Sequence, residues 1–66
     1  MKSVTVKTTE IKVGMARKNL KYKELASLAG ISNTTVSTIM KRGTCSPVNA
    51  GRIARVLGVD VTELIQ

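Results

Sequence analysis

The chain has 66 residues, with eleven Lys and Arg against four Asp and Glu and no His, a formal net charge of +7. That limits it to one small domain and points to an acidic partner. Hydrophobic residues make up 42% of the chain, but Tyr22 is the only aromatic, so a core has to be assembled from Val, Ile, Leu, Met and Ala. Without His, and with Glu10, Glu24, Asp60 and Glu63 scattered singly, there is no acid-base pair and no activated nucleophile, so no enzyme activity is expected. Cys45 is the only cysteine, which excludes an internal disulfide and leaves no zinc cluster; no metal, cofactor or small-molecule ligand is expected. No apolar run approaches the roughly 18 residues of a membrane span. Residues 1–7 are too short and too polar for a signal peptide, so a cytoplasmic location and no membrane partner are expected.

In residues 1–8, Val4 and Val6 alternate with Thr5 and Lys7, which fits a short strand, a loose basic arm or a disordered end. The domain proper is expected over 9–66. From Thr9 the period becomes helical, with Thr8 or Thr9 as cap, Glu10 in the first turn, and Ile11 and Met15 on one face. Lys12, Arg17 and Lys18 lie toward the end favoured by the macrodipole. The first helix is predicted over Thr9–Lys18, with Asn19 left-handed after it and Leu20 as a core contact.

The second helix, Tyr22–Leu28, has Leu25, Ala26, Leu28 and Ala29 at helical spacing and stops at Gly30, with Ile31 folding back as an apolar contact. Two turns are marginal alone, so packing must hold it. Ser32 caps a third helix to Lys41, where Val36, Ile39 and Met40 recur at i, i+3 and i+4; this outweighs the β-branched character of the segment. Residues 41–47 read as a loop. Ser46 with Pro47 then opens a fourth helix with a stripe of Ala50, Ile53, Ala54 and Leu57, ending at Gly58. Asp60 and Glu63 have capping-box spacing and predict a short fifth helix bearing Val61, Leu64 and Ile65. The expected fold is all-α, with five short helices.

Two short helices joined by a tight Gly-containing turn, the second polar on its outer face, form a helix-turn-helix unit. Leu25-Ala26, Ala29-Gly30-Ile31-Ser32, Val36 and Ile39 resemble the motif of the Cro and phage-repressor type (XRE-like) helix-turn-helix family, with its lambda-repressor-like fold. Ala26 matches the small residue at the helix crossing, Gly30 the turn, and Val36 and Ile39 the buried face of the recognition helix. Ser46-Pro47, residues 53–59 and Glu63-Leu64 are similar to the family's last two helices, so the resemblance covers about Ile11 to Ile65.

Three departures stand out. Lys21 and Tyr22 replace the usual Thr or Ser and Gln, so the usual cap of the second helix is missing. Met15 and Met40 occupy places where many members pair an Arg with a Glu, which suggests an apolar contact in place of the ion pair. The segment Lys41-Arg42-Gly43 is one residue longer before its Gly than in some relatives.

The resemblance implies that Asn33, Thr34 and Thr38 meet bases, with Ser32 and Thr35 close to the DNA backbone. The Asn33 amide can pair with adenine N6 and N7, and the threonines offer a methyl for thymine; the competing reading is a merely solvated helix face. Lys21, Tyr22 and Lys23 stand at the positive end of a helix dipole, a poor place for lysines unless a phosphate binds there. Alternatively Tyr22 packs on the core edge and the lysines solubilise. Lys41, Arg42, Thr44 and Ser46 are expected on the backbone of the same half-site, with Arg42 able to probe a narrow minor groove, or else they form a plain solvated loop. Cys45 reads as an incidental small residue rather than a redox sensor.

One such domain reads too few base pairs to select a genomic site. A homodimer on an inverted repeat is therefore expected, with recognition helices about 34 Å apart. Val59, Val61, Leu64 and Ile65 are the expected interface, with pairing of the Val4 and Val6 strands across the dyad as the other arrangement. With no further domain in the chain to sense a ligand or contact polymerase, a transcriptional repressor acting by occlusion is expected. The alternatives are an antitoxin-like or other protein-interaction module, or charge-driven binding to RNA or a membrane surface.

Overall fold

The computed structural model describes residues 2–66. Strand β1 (Val4–Thr5) is followed by helices α1 (Thr8–Lys18), α2 (Tyr22–Ala29) and α3 (Asn33–Arg42), strand β2 (Thr44–Cys45), helix α4 (Pro47–Leu57) and a 3-10 turn at Val61–Glu63. Four α-helices therefore stand where five were expected. The fifth is the 3-10 turn, opened by the Asp60 carboxylate accepting from Thr62 N–H at 2.9 Å and by Glu63 accepting from Asp60 N–H at 3.1 Å.

Each α-helix stops on a left-handed residue: Asn19 (φ 55°), Gly30 (73°), Gly43 (74°) and Gly58 (72°). Gly30 does most for the site. Its left-handed turn lets Ile31 N–H reach the Ala26 carbonyl at 3.0 Å and sends the chain directly from α2 into α3.

The core gathers one face from every helix. Ile11, Leu25, Val36, Ile53 and Leu64 are its largest fully buried side chains, each contributing about 1.5–3 kcal/mol by burial. Met15 is buried and Met40 packs partly buried against the same cluster, so apolar contacts fill the places where the resemblance implies an ion pair. At the α1–α4 crossing the contact is backbone-close. A Cβ on Gly14 would stand 2.9 Å from Leu57 Cδ1, so the crossing depends on a residue with no side chain.

Several expectations need correction. The first helix begins at Thr8, and its N-cap is Lys7, which makes no side-chain cap bond; neither Thr8 nor Thr9 caps it. The cause is backbone: Lys7 donates N–H to the Leu64 carbonyl at 2.6 Å and accepts from Glu10 N–H at 3.0 Å, so a paired strand feeds straight into the helix. Leu28, expected with the apolar face of the second helix, is 64% exposed and lies outside the buried face of Leu25, Ala26 and Ala29. Helix α3 runs on to Arg42, one residue past the expected end at Lys41, so Lys41 and Arg42 are helical rather than part of a loop.

The segment read as a loop contains β2, which pairs antiparallel with β1 in the register Val4↔Cys45 and Thr5↔Thr44. On the opposite edge of β1, Val6 bridges Ile65, and Gln66 N–H donates to the Thr5 carbonyl at 2.9 Å. Both edges of this strand are used within one chain, so Val4 and Val6 offer none to a second copy. Leu64, expected at a dimer interface, is only 1% exposed and belongs to the chain's own core; Val59, Val61 and Ile65 pack half-buried against that core. The short terminal segment buries its apolar side chains because the β1 ribbon supplies the missing wall.

Candidate nucleic-acid interface

Helix α3 has two unlike sides. Val36 and Ile39 point inward, 1% and 3% exposed, whereas Asn33, Thr34, Ser37, Thr38 and Lys41 are exposed at successive spacings of one, three, one and three residues. That spacing is one continuous stripe on a helix. Its first four members carry no charge, and acids are absent from the whole of α3. The amide and hydroxyls of this stripe are available to an outside partner. Ser37 belongs to it and was not picked out from the sequence, although its place four residues after Asn33 puts it on the same face.

The start of the helix is fixed locally. Ser32 Oγ accepts from Thr35 N–H at 3.0 Å and lies 2.7 Å from Thr35 Oγ1. Ser32 and Thr35 thus engage each other, and their first role is to orient Asn33 and Thr34. Ser46 has the same capping role on α4, accepting from Asn49 N–H at 3.2 Å. The contacts these three residues make are within the chain, at the starts of α3 and α4.

Lys21, Tyr22 and Lys23 are exposed at the start of α2, Tyr22 to 38%, so the aromatic ring is not sunk in the core. Lys21 is the N-cap and has no lone pair with which to accept a helix N–H. Only the reverse half of a capping box forms, with the Glu24 carboxylate accepting from Lys21 N–H at 2.8 Å. The first-turn N–H groups of Tyr22, Lys23 and Glu24 have no intrahelical acceptor. Glu24 therefore neutralises part of this end, and what is left to attract an anion is those N–H groups and the two ammonium groups.

At the other end of α3, Lys41 and Arg42 occupy its last turn, where cations suit the dipole. Thr44 is exposed just beyond, and Cys45, next to it, is buried. Burial raises the Cys45 thiol above its ordinary pKa, which suits a neutral packing residue rather than a reactive thiolate.

Arg52 on α4 was missed altogether. Its Nη1 donates to the Gly30 carbonyl at 3.2 Å, fastening α4 to the turn between α2 and α3. A cation meeting a helix C-terminus is a general pairing, but which end Arg52 meets is decided by the packing of α4 on α2. Lys18 also comes near a helix end. Its Nζ lies 3.9 Å from where a Cβ on Gly58 would stand, at the C-terminal end of α4.

The structure thus brings one uncharged stripe together with cations at the flanking helix ends. No group of three metal-ligating side chains and no pocket occurs among the described residues, and none of their helices is long and apolar enough to cross a membrane. Comparisons with curated proteins and with solved structures give no match. Residues 10–66 match the family described as the Cro/C1-type HTH DNA-binding domain, a span that takes in α2, α3 and α4 whole and α1 from Glu10 onward. The chain therefore belongs to the Cro/C1-type helix-turn-helix family and is a DNA-binding domain.

Proposed function

We propose that the protein is a sequence-specific transcriptional regulator that represses by occupying an inverted-repeat operator in the cytoplasm. The observation that carries this reading is the uncharged stripe Asn33, Thr34, Ser37 and Thr38, exposed on a ten-residue helix and followed by Lys41 and Arg42. An α-helix is about 10–12 Å across with its side chains and so fits a major groove about 12 Å wide, and ten residues run about 15 Å along it. In this reading Asn33 donates to and accepts from one adenine edge, and Thr34 and Thr38 place methyl and hydroxyl groups against neighbouring bases. Lys21, Lys23, Lys41, Arg42 and Thr44 bind phosphates, with the Tyr22 hydroxyl as a further donor. Ser32, Thr35 and Ser46 lie near the DNA backbone and set the helix ends.

Dimerisation on DNA supplies the second half-site. The exposed parts of Val59, Val61 and Ile65 are its candidate contacts, without Leu64. Selection of bound duplexes from a random pool, followed by sequencing, tests the function. Recovery of an inverted repeat with half-sites about one helical turn apart is expected. A pool without consensus would refute sequence-specific regulation and leave binding by charge alone.

A further inference from the structure

Strand β1 carries none of the groups assigned to DNA, yet the segment it opens touches the loop that carries several of them. Val6 N–H donates to the Gly43 carbonyl at 2.9 Å, and Val4 and Thr5 pair with Cys45 and Thr44. Gly43 ends α3 in a left-handed conformation with open space on its side-chain face, so no side chain packs there to hold it. The restraints on this loop are the Gly43 N–H bond to the Ile39 carbonyl at 2.7 Å, the burial of Cys45 and the backbone ladder to β1, and only the ladder reaches outside α3 and the loop itself through main-chain bonds. The β1 segment is itself secured from its far edge, by Lys7 N–H on the Leu64 carbonyl, Gln66 N–H on the Thr5 carbonyl, and the 3% exposed side chain of Val6 in the core.

We infer that β1 is a positioning element for the DNA grip. By tying Gly43, Thr44 and Cys45 to the C-terminal segment, it fixes the direction in which Lys41, Arg42 and Thr44 leave the recognition helix. The inference rests on the DNA-binding reading above. It assigns the N-terminal segment a role that needs no contact of its own with DNA: the number of phosphates gripped depends on backbone bonds made at Val4–Val6. Lys41 and Arg42 lie in the last helical turn, where loss of the Gly43 tether lets the helix end fray and the two charges disperse.

Val6→Pro removes the N–H that holds Gly43 while keeping an apolar side chain. Val6→Ala keeps that N–H and removes buried bulk, so it serves as the control for lost stability alone. Affinity for the selected duplex is measured against salt concentration for the parent and both variants. Each phosphate contact contributes about 0.9 to the slope of log affinity on log salt. Val6→Pro is expected to lower that slope by about one to two, and Val6→Ala to leave it at the parent value. Arg42→Ala is expected to weaken the parent severalfold but to change binding less than twofold in the Val6→Pro background.

Deletion of residues 1–4 removes the Val4↔Cys45 pair and the half-buried Val4 side chain while leaving every fully buried core residue in place, and covers the case in which Val6→Pro does not fold; a smaller fall in slope is expected. An unchanged slope with a full Arg42→Ala effect in the deleted chain overturns the inference while leaving DNA binding intact. A parent chain that binds no duplex overturns both.

Discussion

The helix-turn-helix and the terminal ribbon are built by opposite means. In α2–α3 most polar restraints are local, with Glu24 on Lys21 N–H, Ser32 on Thr35 N–H and the Gly30 turn all within a few residues, and the Arg52 bond to the Gly30 carbonyl is the long-range one. In the ribbon they are backbone bonds between distant segments, joining residues 4–7 to 43–45 and to 64–66. The difference concerns where function is exposed. In the proposed reading the α3 stripe is oriented by contacts near it in sequence, whereas the cations beside it depend on residues 4–7 meeting 43–45 and 64–66.

Perturbing the shared core should damage both regions together and has the largest expected effect. Met15→Arg places an unpaired charge at a site only 6% exposed, and a loss of several kcal/mol is expected. At about 4–8 °C per kcal/mol for a domain of this size, thermal melting will show it, and an unchanged melting temperature would contradict the burial of residue 15.

Gly14→Ala tests the α1–α4 crossing, which supports both regions without belonging to either. Helix propensity favours the alanine by up to about 1 kcal/mol, but the 2.9 Å approach to Leu57 Cδ1 opposes it. A net loss of about 1–2 kcal/mol is expected. A rise in melting temperature would mean that the helices separate without penalty.

Ser32→Ala sharpens the comparison because it touches one region only. Losing the cap should cost about 1 kcal/mol and raise amide exchange in the first turn of α3, while exchange at Val6 and Lys7 keeps its parent rate. Equal acceleration at both places would show that the two regions open as one unit.

The smallest effect lies at the C-terminal 3-10 turn. Thr62 N–H, and then its hydroxyl, hold the exposed Asp60 carboxylate below its ordinary pKa. A depressed folded pKa means that this stabilisation is present above the ordinary carboxylate value and is lost as pH falls through it toward the folded one. Acid titration of Asp60→Asn should therefore lack a shallow loss of stability in that range, and a curve superimposable on the parent's would remove Asp60 from the account.

How much was legible follows the same division. Gly30, Ser32, Val36 and Ile39, and Ser46 with Pro47, give the fold away because caps, left-handed turns and a 3.6 period act within a few residues. The Lys7 cap, β2, the burial of Leu64 and the Arg52 bond to Gly30 depend on which distant segments meet, and the two residues of β2 show no alternation of the kind that marks Val4 and Val6. The exposed Leu28 has no partner in the structure that explains it. Within the candidate site, Asn33, Thr34 and Thr38 stand on the exposed stripe as expected, and Ser37 joins them by geometry alone.

The division of labour between an uncharged stripe and its flanking cations is the central claim. Asn33→Ala and Lys21→Ala, each assayed on a library of single-base variants of the selected duplex at several salt concentrations, test it most directly. Asn33→Ala is expected to lose about 1–3 kcal/mol of discrimination at one base position with the salt slope unchanged. Lys21→Ala should weaken every sequence alike and lower the slope by about one. Uniform losses with the same slope change in both variants would contradict the assignment of base reading to α3 and of grip to the lysines.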